Sequence, residues 1–269
     1  MGTRIDKAFE GLRRRGQRGF VAYLTAGDPS VADTVDIAGR LADAGVDILE
    51  LGIPFSDPLA DGRVNQDAAA RALAAGATLP RILRGVRDLR RRCDVPIVLY
   101  SYLNPLCAGG FDRTVRAMAD AGVDGLLILD LTIEESAPFD PALAAAGIDR
   151  IRLVTPTSPP ARVRRIARGA SGFVYCVSRA GVTGARRTID PAAFDVLRLA
   201  RRHTSLPLAL GFGLSDPDQV REAARPADAV VVGSAIVQRF HDAGRRPGAR
   251  AAAARWVGRL ARAAHEAGS

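Results

Sequence analysis

The chain has 269 residues, 48% hydrophobic and 25% charged, and a net charge of +9, which is ordinary globular material long enough to bury a substantial core; length alone allows one domain or two, and with no low-complexity linker a single domain spanning 1–269 is expected. No run approaches the about 18 apolar residues of a membrane span, and the opening MGTRIDK carries no apolar signal stretch, so a cytoplasmic protein is expected. Cys93, Cys107 and Cys176 are too dispersed for a disulfide framework or a zinc knuckle. The arginines are scattered over many helices without interleaved aromatics, which argues against nucleic acid, although a basic balance suits a phosphorylated small molecule.

In chain order, a helical pattern at 5–15 precedes an apolar run at 20–25. Further apolar runs follow at 48–51, 97–102, 125–129, 151–154, 173–177, 208–210 and 229–232. Helical patterns lie between them at 31–44 (Ser30 as N-cap), 67–75, 79–92, 114–121, 141–146, 161–167, 191–202 and 216–224, and a last one closes the chain at 249–264. Ala-Gly followed by a β-branched residue and Asp recurs at Ala44 to Asp47, Ala121 to Asp124 and Ala146 to Asp149, each time between a helix and an apolar run. Glycine there supplies the left-handed residue that ends a helix, and repeated strand-helix units require a parallel sheet covered by helices. Eight such units predict an α/β fold, a (β/α)8 TIM barrel with extra helices. An open doubly wound sheet is the alternative, but no GxGxxG follows the first strand.

The segment from Leu49 to Gly62, LELGIPFSDPLADG, places Glu50 at the end of an apolar strand and Asp57 and Asp61 in the loop beyond. Asp-Pro and Asp-Gly are ordinary turn pairs, but a carboxylate within an apolar strand costs free energy unless it is paired or used. Barrel active sites lie where strands end and loops begin, which is the position of Glu50 and Asp61. Glycine-rich turns follow the last three strands: SRAGVTG at 178–184, GFGLS at 211–215 and GSAI at 233–236. Backbone N–H groups of such turns, and a helix opening at Ser234, suit a phosphate. The only lysine, Lys7, precedes the first strand, and His203, His241 and His265 fall in or near helices. Neither a lysine Schiff base nor a metal is therefore expected, which leaves acid–base work by carboxylates, with a tyrosine in support, on a substrate that carries its own electron sink.

The segments 49–62, 175–184 (YCVSRAGVTG) and 211–215, with TAGDP at 25–29, YLNP at 102–105 and VGSAI at 232–236, closely resemble the alpha subunit of tryptophan synthase. The resemblance implies a barrel lyase that cleaves indole-3-glycerol phosphate to indole and glyceraldehyde 3-phosphate with no cofactor of its own. It also implies a pyridoxal-phosphate beta subunit as partner, in an alpha2beta2 heterotetramer. By the same resemblance Glu50 handles protons at the reacting carbons, Asp61 meets the indole N–H, and Tyr175 supports them. Gly184, Gly213, Gly233 and Ser234 then hold the phosphate. Tyr23, Tyr100, Tyr102, Leu127, Leu153 and Phe212, with Leu99, are candidate walls of a ring-sized pocket, and Asp57 is expected to order the loop or meet the partner. The chain departs from the family's pattern at Arg63 in place of proline, at Asn65 and Tyr100 in place of apolar residues, and at Thr132 in place of proline. A stand-alone indole-forming lyase, a weakly catalytic subunit that activates a partner, and another phosphosugar isomerase or epimerase stay open.

Overall fold

A computed structural model describes residues 2–177, 191–211 and 213–268. Its strands are β1 (Gly19–Thr25), β2 (Ile48–Gly52), β3 (Ile97–Ser101), β4 (Gly125–Ile128), β5 (Asp149–Val154), β6 (Val174–Val177), β7 (Leu208–Gly211) and β8 (Ala229–Val232). They pair in parallel in sequence order, and β8 returns to β1 to close the barrel. The twelve helices among the described residues are α1 (Arg4–Arg14), α2 (Val31–Asp43), α3 (Arg63–Ala74), α4 (Leu79–Arg90), α5 (Leu103–Cys107), α6 (Phe111–Ala121), α7 (Asp140–Ala145), α8 (Pro160–Gly169), α9 (Pro191–Arg201), α10 (Pro217–Ala224), α11 (Ser234–Ala243) and α12 (Ala249–His265). No helix among the described residues is long and apolar enough to cross a membrane.

The eight expected runs all become strands, because an apolar stretch of this length between helices is buried on both faces. Alternation divides each strand between two cores. Phe20, Leu49, Leu99, Leu126 and Val230 face outward and pack under the helices, while Val21, Ile48, Val98, Leu127, Ile151 and Phe173 fill the barrel. Leu99, expected as a pocket wall, is thereby corrected: its neighbour Tyr100 holds the inward position.

The barrel floor is closed by α1, whose Ile5, Phe9 and Leu12 project from one face into the interior core, with Phe9 5.9 Å from Phe173. A capping box starts that helix: Asp6 N–H donates to Thr3 Oγ1 at 3.2 Å, and Thr3 N–H to Asp6 Oδ2 at 2.9 Å. The repeated Ala-Gly motif ends helices as expected, with Gly45, Gly122 and Gly147 at φ of 93°, 90° and 67°. Its aspartates do further work at the strand starts. Asp47 accepts the N–H of Phe20, Asp124 that of Ile97, and Asp228, in a related position, that of Leu208, each at 2.8 Å. Asp124 also pairs with Arg4 and Arg90, while Arg90 donates to the carbonyls of Gly122 and Val95.

Two departures from expectation bear on the mouth of the barrel. Helix α3 begins at Arg63, four residues before the expected 67, and α5 was not anticipated at all. The early start makes Asn65 and Gln66 helical residues of the first turn and fixes them beside Asp61.

Candidate active site

Strand alternation carries the interior face upward from Ile48 to Glu50, whose neighbour across β1 is Tyr23. Glu50 is 1% exposed, and its Oε1 has no hydrogen-bond partner among the described residues. Burial, and then the nearby charge of Asp61, raise its pKa to about 8. At neutral pH the carboxyl is therefore mostly protonated and can donate a proton, and once it has done so it is a base.

Asp61 stands one residue before the N-cap of α3. Its carboxylate accepts from the hydroxyl of Tyr100 at 3.1 Å and from that of Tyr102 at 2.9 Å. Burial raises its pKa, while Tyr102, Tyr100 and Asn65 act in the opposite direction by favouring the anion. The loop around it is tied down as well: Ala60 N–H donates to the Tyr102 hydroxyl at 2.9 Å, and Gln66 Nε2 to the Asp61 carbonyl at 2.8 Å. Arg63 lies at the first position of α3, exposed and paired with Asp67 at 3.0 Å.

All four tyrosines of the chain gather at this end. Tyr23 and Tyr100 meet edge to face at 5.2 Å between ring centroids, packed with Val64, Ala68 and Val237. Tyr102 stacks with Phe55 at 5.3 Å. Tyr175 points inward from β6, where burial and then the charge of Glu50 push its pKa well up. Two glycines make room for these rings. A Cβ on Gly52 would fall 2.2 Å from the Tyr23 hydroxyl, and one on Gly211 2.5 Å from a Tyr175 ring carbon. From the sequence Gly52 has no role and Gly211 only one in the glycine-rich turn after β7, although both lie on the inward register that the strand pattern reveals.

Leu127 and Leu153 face the interior, Leu127 paired across β3 with Tyr100 and Leu153 across β6 with Tyr175. Gly233 precedes α11, which opens at Ser234. The Gly233 carbonyl takes the N–H groups of Ile236 and Val237, so those of the first two helical residues point out of the helix end, where an anion is favoured. A Cβ on Gly233 would stand 3.5 Å from Tyr23 Cβ, which sets this helix end next to the tyrosine cluster. Gly213 lies just beyond β7. Gly184, Phe212 and the SRAGVTG turn fall outside the described residues. Asp57 lines a separate cleft of about 450 Å³ on the outside of the loop, and Thr132 closes a turn by donating to Glu135 at 2.9 Å.

The arrangement can deliver a proton, take one back and hold an N–H beside a charge, within an aromatic chamber that has an anion-favouring helix end at its side. The model of the tryptophan synthase alpha chain matches residues 9–265. A tryptophan synthase alpha chain from Geobacter sulfurreducens is 48% identical over 88% of this chain and 90% of its own length, and one from Opitutus terrae is 48% identical over 87% and 88%. Among solved structures, a tryptophan synthase alpha subunit from Legionella pneumophila superposes with a TM-score of 0.89 at 32% identity, covering 98% of each chain. A chain of Mycobacterium tuberculosis tryptophan synthase gives 0.90 at 32% identity over 98% and 99%. With a carboxylate pair on the barrel mouth, a closed eightfold barrel and relatives of this closeness along nearly the whole length, the chain belongs to the tryptophan synthase alpha chain family.

Proposed function

We propose that the chain is the lyase that cleaves indole-3-glycerol phosphate to indole and glyceraldehyde 3-phosphate in tryptophan biosynthesis. The observation that carries this reading is the buried pair of unlike carboxylates, a largely protonated Glu50 beside an Asp61 held by two tyrosine hydroxyls. Glu50 donates its proton to ring carbon C3, and positive charge develops at the ring nitrogen, whose N–H faces Asp61. Glu50, now a carboxylate, takes the proton of the side-chain hydroxyl next to C3. The carbon–carbon bond breaks, its electron pair falls back into the C=N⁺ group, and an aldehyde and indole result. Glu50 ends protonated as it began, and the ring itself is the electron sink, so the chain needs no lysine, metal or cofactor for the step.

Tyr175 acts in support, walling the chamber with Tyr23, Tyr100, Tyr102, Leu127, Leu153 and Phe212. The phosphate rests at Gly184, Gly213, Gly233 and Ser234. The chain works in the cytoplasm as one domain spanning 1–269. Its partner is a pyridoxal-phosphate beta subunit, which receives the indole in an alpha2beta2 heterotetramer. Leu59 and Leu73, 80% and 37% exposed, flank the cleft with Phe55, Asp57 and Pro58 and give such a partner an apolar seat next to the Asp61 loop. A stand-alone lyase is the second reading, favoured because Asp61 is tied by hydroxyls of the chain itself.

The test is indole release from indole-3-glycerol phosphate with and without an added beta subunit. Strong activation supports the heterotetramer, and full activity alone supports the stand-alone lyase. No release in either case overturns the lyase reading. Asp61→Asn is expected to lose most but not all turnover, and unchanged kinetics would reduce Asp61 to a turn residue.

A further inference from the structure

Asp61 is the more demanding of the two carboxylates, because it must keep its charge inside an aromatic chamber. Among the described residues no arginine, lysine or histidine contributes to its pKa shift. The groups facing it are Glu50 from β2, Tyr23 from β1, Tyr175 from β6, Tyr100 and Tyr102 from β3 and its end, and Asn65 from α3. Five of these are hydroxyl or amide groups whose polar atoms carry no full charge in their neutral form. Glu50 would repel the anion whenever it is itself charged.

Tyr100 and Asn65 both act on this carboxylate. The Tyr100 ring would pack against Tyr23 equally well as phenylalanine. Its hydroxyl adds a single hydrogen bond, 3.1 Å to Asp61 Oδ1. The amide of Asn65 stands beside the same carboxylate, while its Oδ1 is buried without a partner. A carboxylate can only accept, so the nitrogen end of the amide must face it. An orphaned carbonyl oxygen is the result expected when that demand fixes the side chain. Tyr102 takes the other oxygen but also holds the backbone of Ala60, so its loss would loosen the loop as well. Tyr100 and Asn65 bear on the carboxylate without such a backbone bond.

We propose that Tyr100 and Asn65 are positioning residues for Asp61: they hold its carboxylate against β3 as an aimed anion, ready to meet the ring N–H of the substrate. This rests on the lyase reading for its consequence, but the hold itself belongs to the free chain. Hydrogen bonds to a charged group are strong enough for each to move an ionisation constant by about tenfold.

The experiment is to titrate carboxyl-¹³C-labelled aspartates by NMR in the wild-type chain, Tyr100→Phe and Asn65→Leu, assigning Asp61 with Asp61→Asn, and to record the pH profile of indole release for the same proteins. Each substitution is expected to raise the Asp61 pKa by about one unit, to move the acid limb of kcat/KM upward with it, and to lower the rate on that limb about tenfold. A merely structural role would lower the rate at every pH and leave the limb in place. An unshifted Asp61 in both variants overturns the proposal, whatever happens to the rate. Wild-type protein that releases no indole overturns the lyase reading alone, because the NMR titration still decides the hold on Asp61. Tyr100→Phe keeps the ring contact, and Asn65→Leu provides the independent second case should either variant fold poorly.

Discussion

The floor and the mouth of the barrel are built from the same eight strands, yet they hold their carboxylates differently. At the floor Asp124 takes a backbone N–H and two arginines, and Asp47 takes a backbone N–H and His265 at 2.8 Å, although Asp149 keeps one oxygen without a partner. The barrel floor also holds an apolar plug of Phe9, Phe173 and Ile5. At the mouth Glu50 keeps an oxygen with no partner, and Asn65 does the same. An unmatched buried polar group costs about 1–3 kcal/mol, so the ties of Asp47 and Asp124 contribute stability that the carboxyl of Glu50 gives up. At the mouth the unmatched carboxyl of Glu50 is the one a reacting substrate would engage.

The largest test of that contrast is Glu50→Ala. Removing a general acid–base group should lower indole release by about 10³-fold, while relieving rather than breaking the packing, so the melting temperature should hold or rise. Steady-state kinetics with thermal unfolding decides it, and full activity would remove Glu50 from the mechanism. Asp124→Ala is the converse at the floor. It leaves Arg90 nearly buried without its carboxylate, a change expected to cost about 3–5 kcal/mol and to lower Tm by roughly 10 °C. Activity per folded molecule should stay near wild type. An unchanged Tm would mean that the carbonyls of Val95 and Gly122 already satisfy Arg90.

Much of this division was legible in the sequence. The eight apolar runs and the Ala-Gly-β-branched-Asp repeat predict the barrel, since buried parallel strands leave little choice of pattern. Glu50 stood out because a carboxylate inside an apolar run is costly. The aspartates of the repeat revealed less: the bonds of Asp47 and Asp124 join residues 27 positions apart, which only the pairing of the sheet brings together. The start of α3 was also hidden, because Asp61-Gly62 reads as a turn and Gly62 caps the helix without a side chain. For the same reason Asn65 and Gln66 were not seen beside Asp61. The room that Gly52 and Gly211 leave for tyrosine rings escaped notice because an absent side chain matters only once the tyrosine that fills its place is known.

A pH window separates the two ends next. Glu50 has its native pKa raised to about 8 from an ordinary 4.5. Between those limits the unfolded chain has lost a proton that the native chain retains, so stability falls as pH rises through the window and levels off above it. Against Glu50→Gln, which carries no such proton, the wild-type chain should lose up to about 1.4 kcal/mol per pH unit from pH 5 to 8. Denaturant unfolding at several pH values measures this directly. Parallel curves for the two proteins would show that Glu50 is ionised throughout and would remove the proton donor from the mechanism.

The smallest effect is expected at Tyr175, and it separates shape from chemistry at the mouth. Its ring occupies the space left by Gly211, where a Cβ would fall 2.5 Å from a ring carbon, and burial keeps its hydroxyl neutral. A neutral phenol beside a carboxyl that already cycles its own proton supplies at most one ordinary hydrogen bond, about 1 kcal/mol. Tyr175→Phe should therefore lower kcat/KM by no more than about fivefold. Gly211→Ala keeps the hydroxyl but forces the ring to move, and should do greater harm, chiefly to KM. If the order is reversed, with the phenylalanine variant the more damaged, then Tyr175 takes part in proton transfer, and the mouth holds three chemical groups rather than two carboxylates in an aromatic wall.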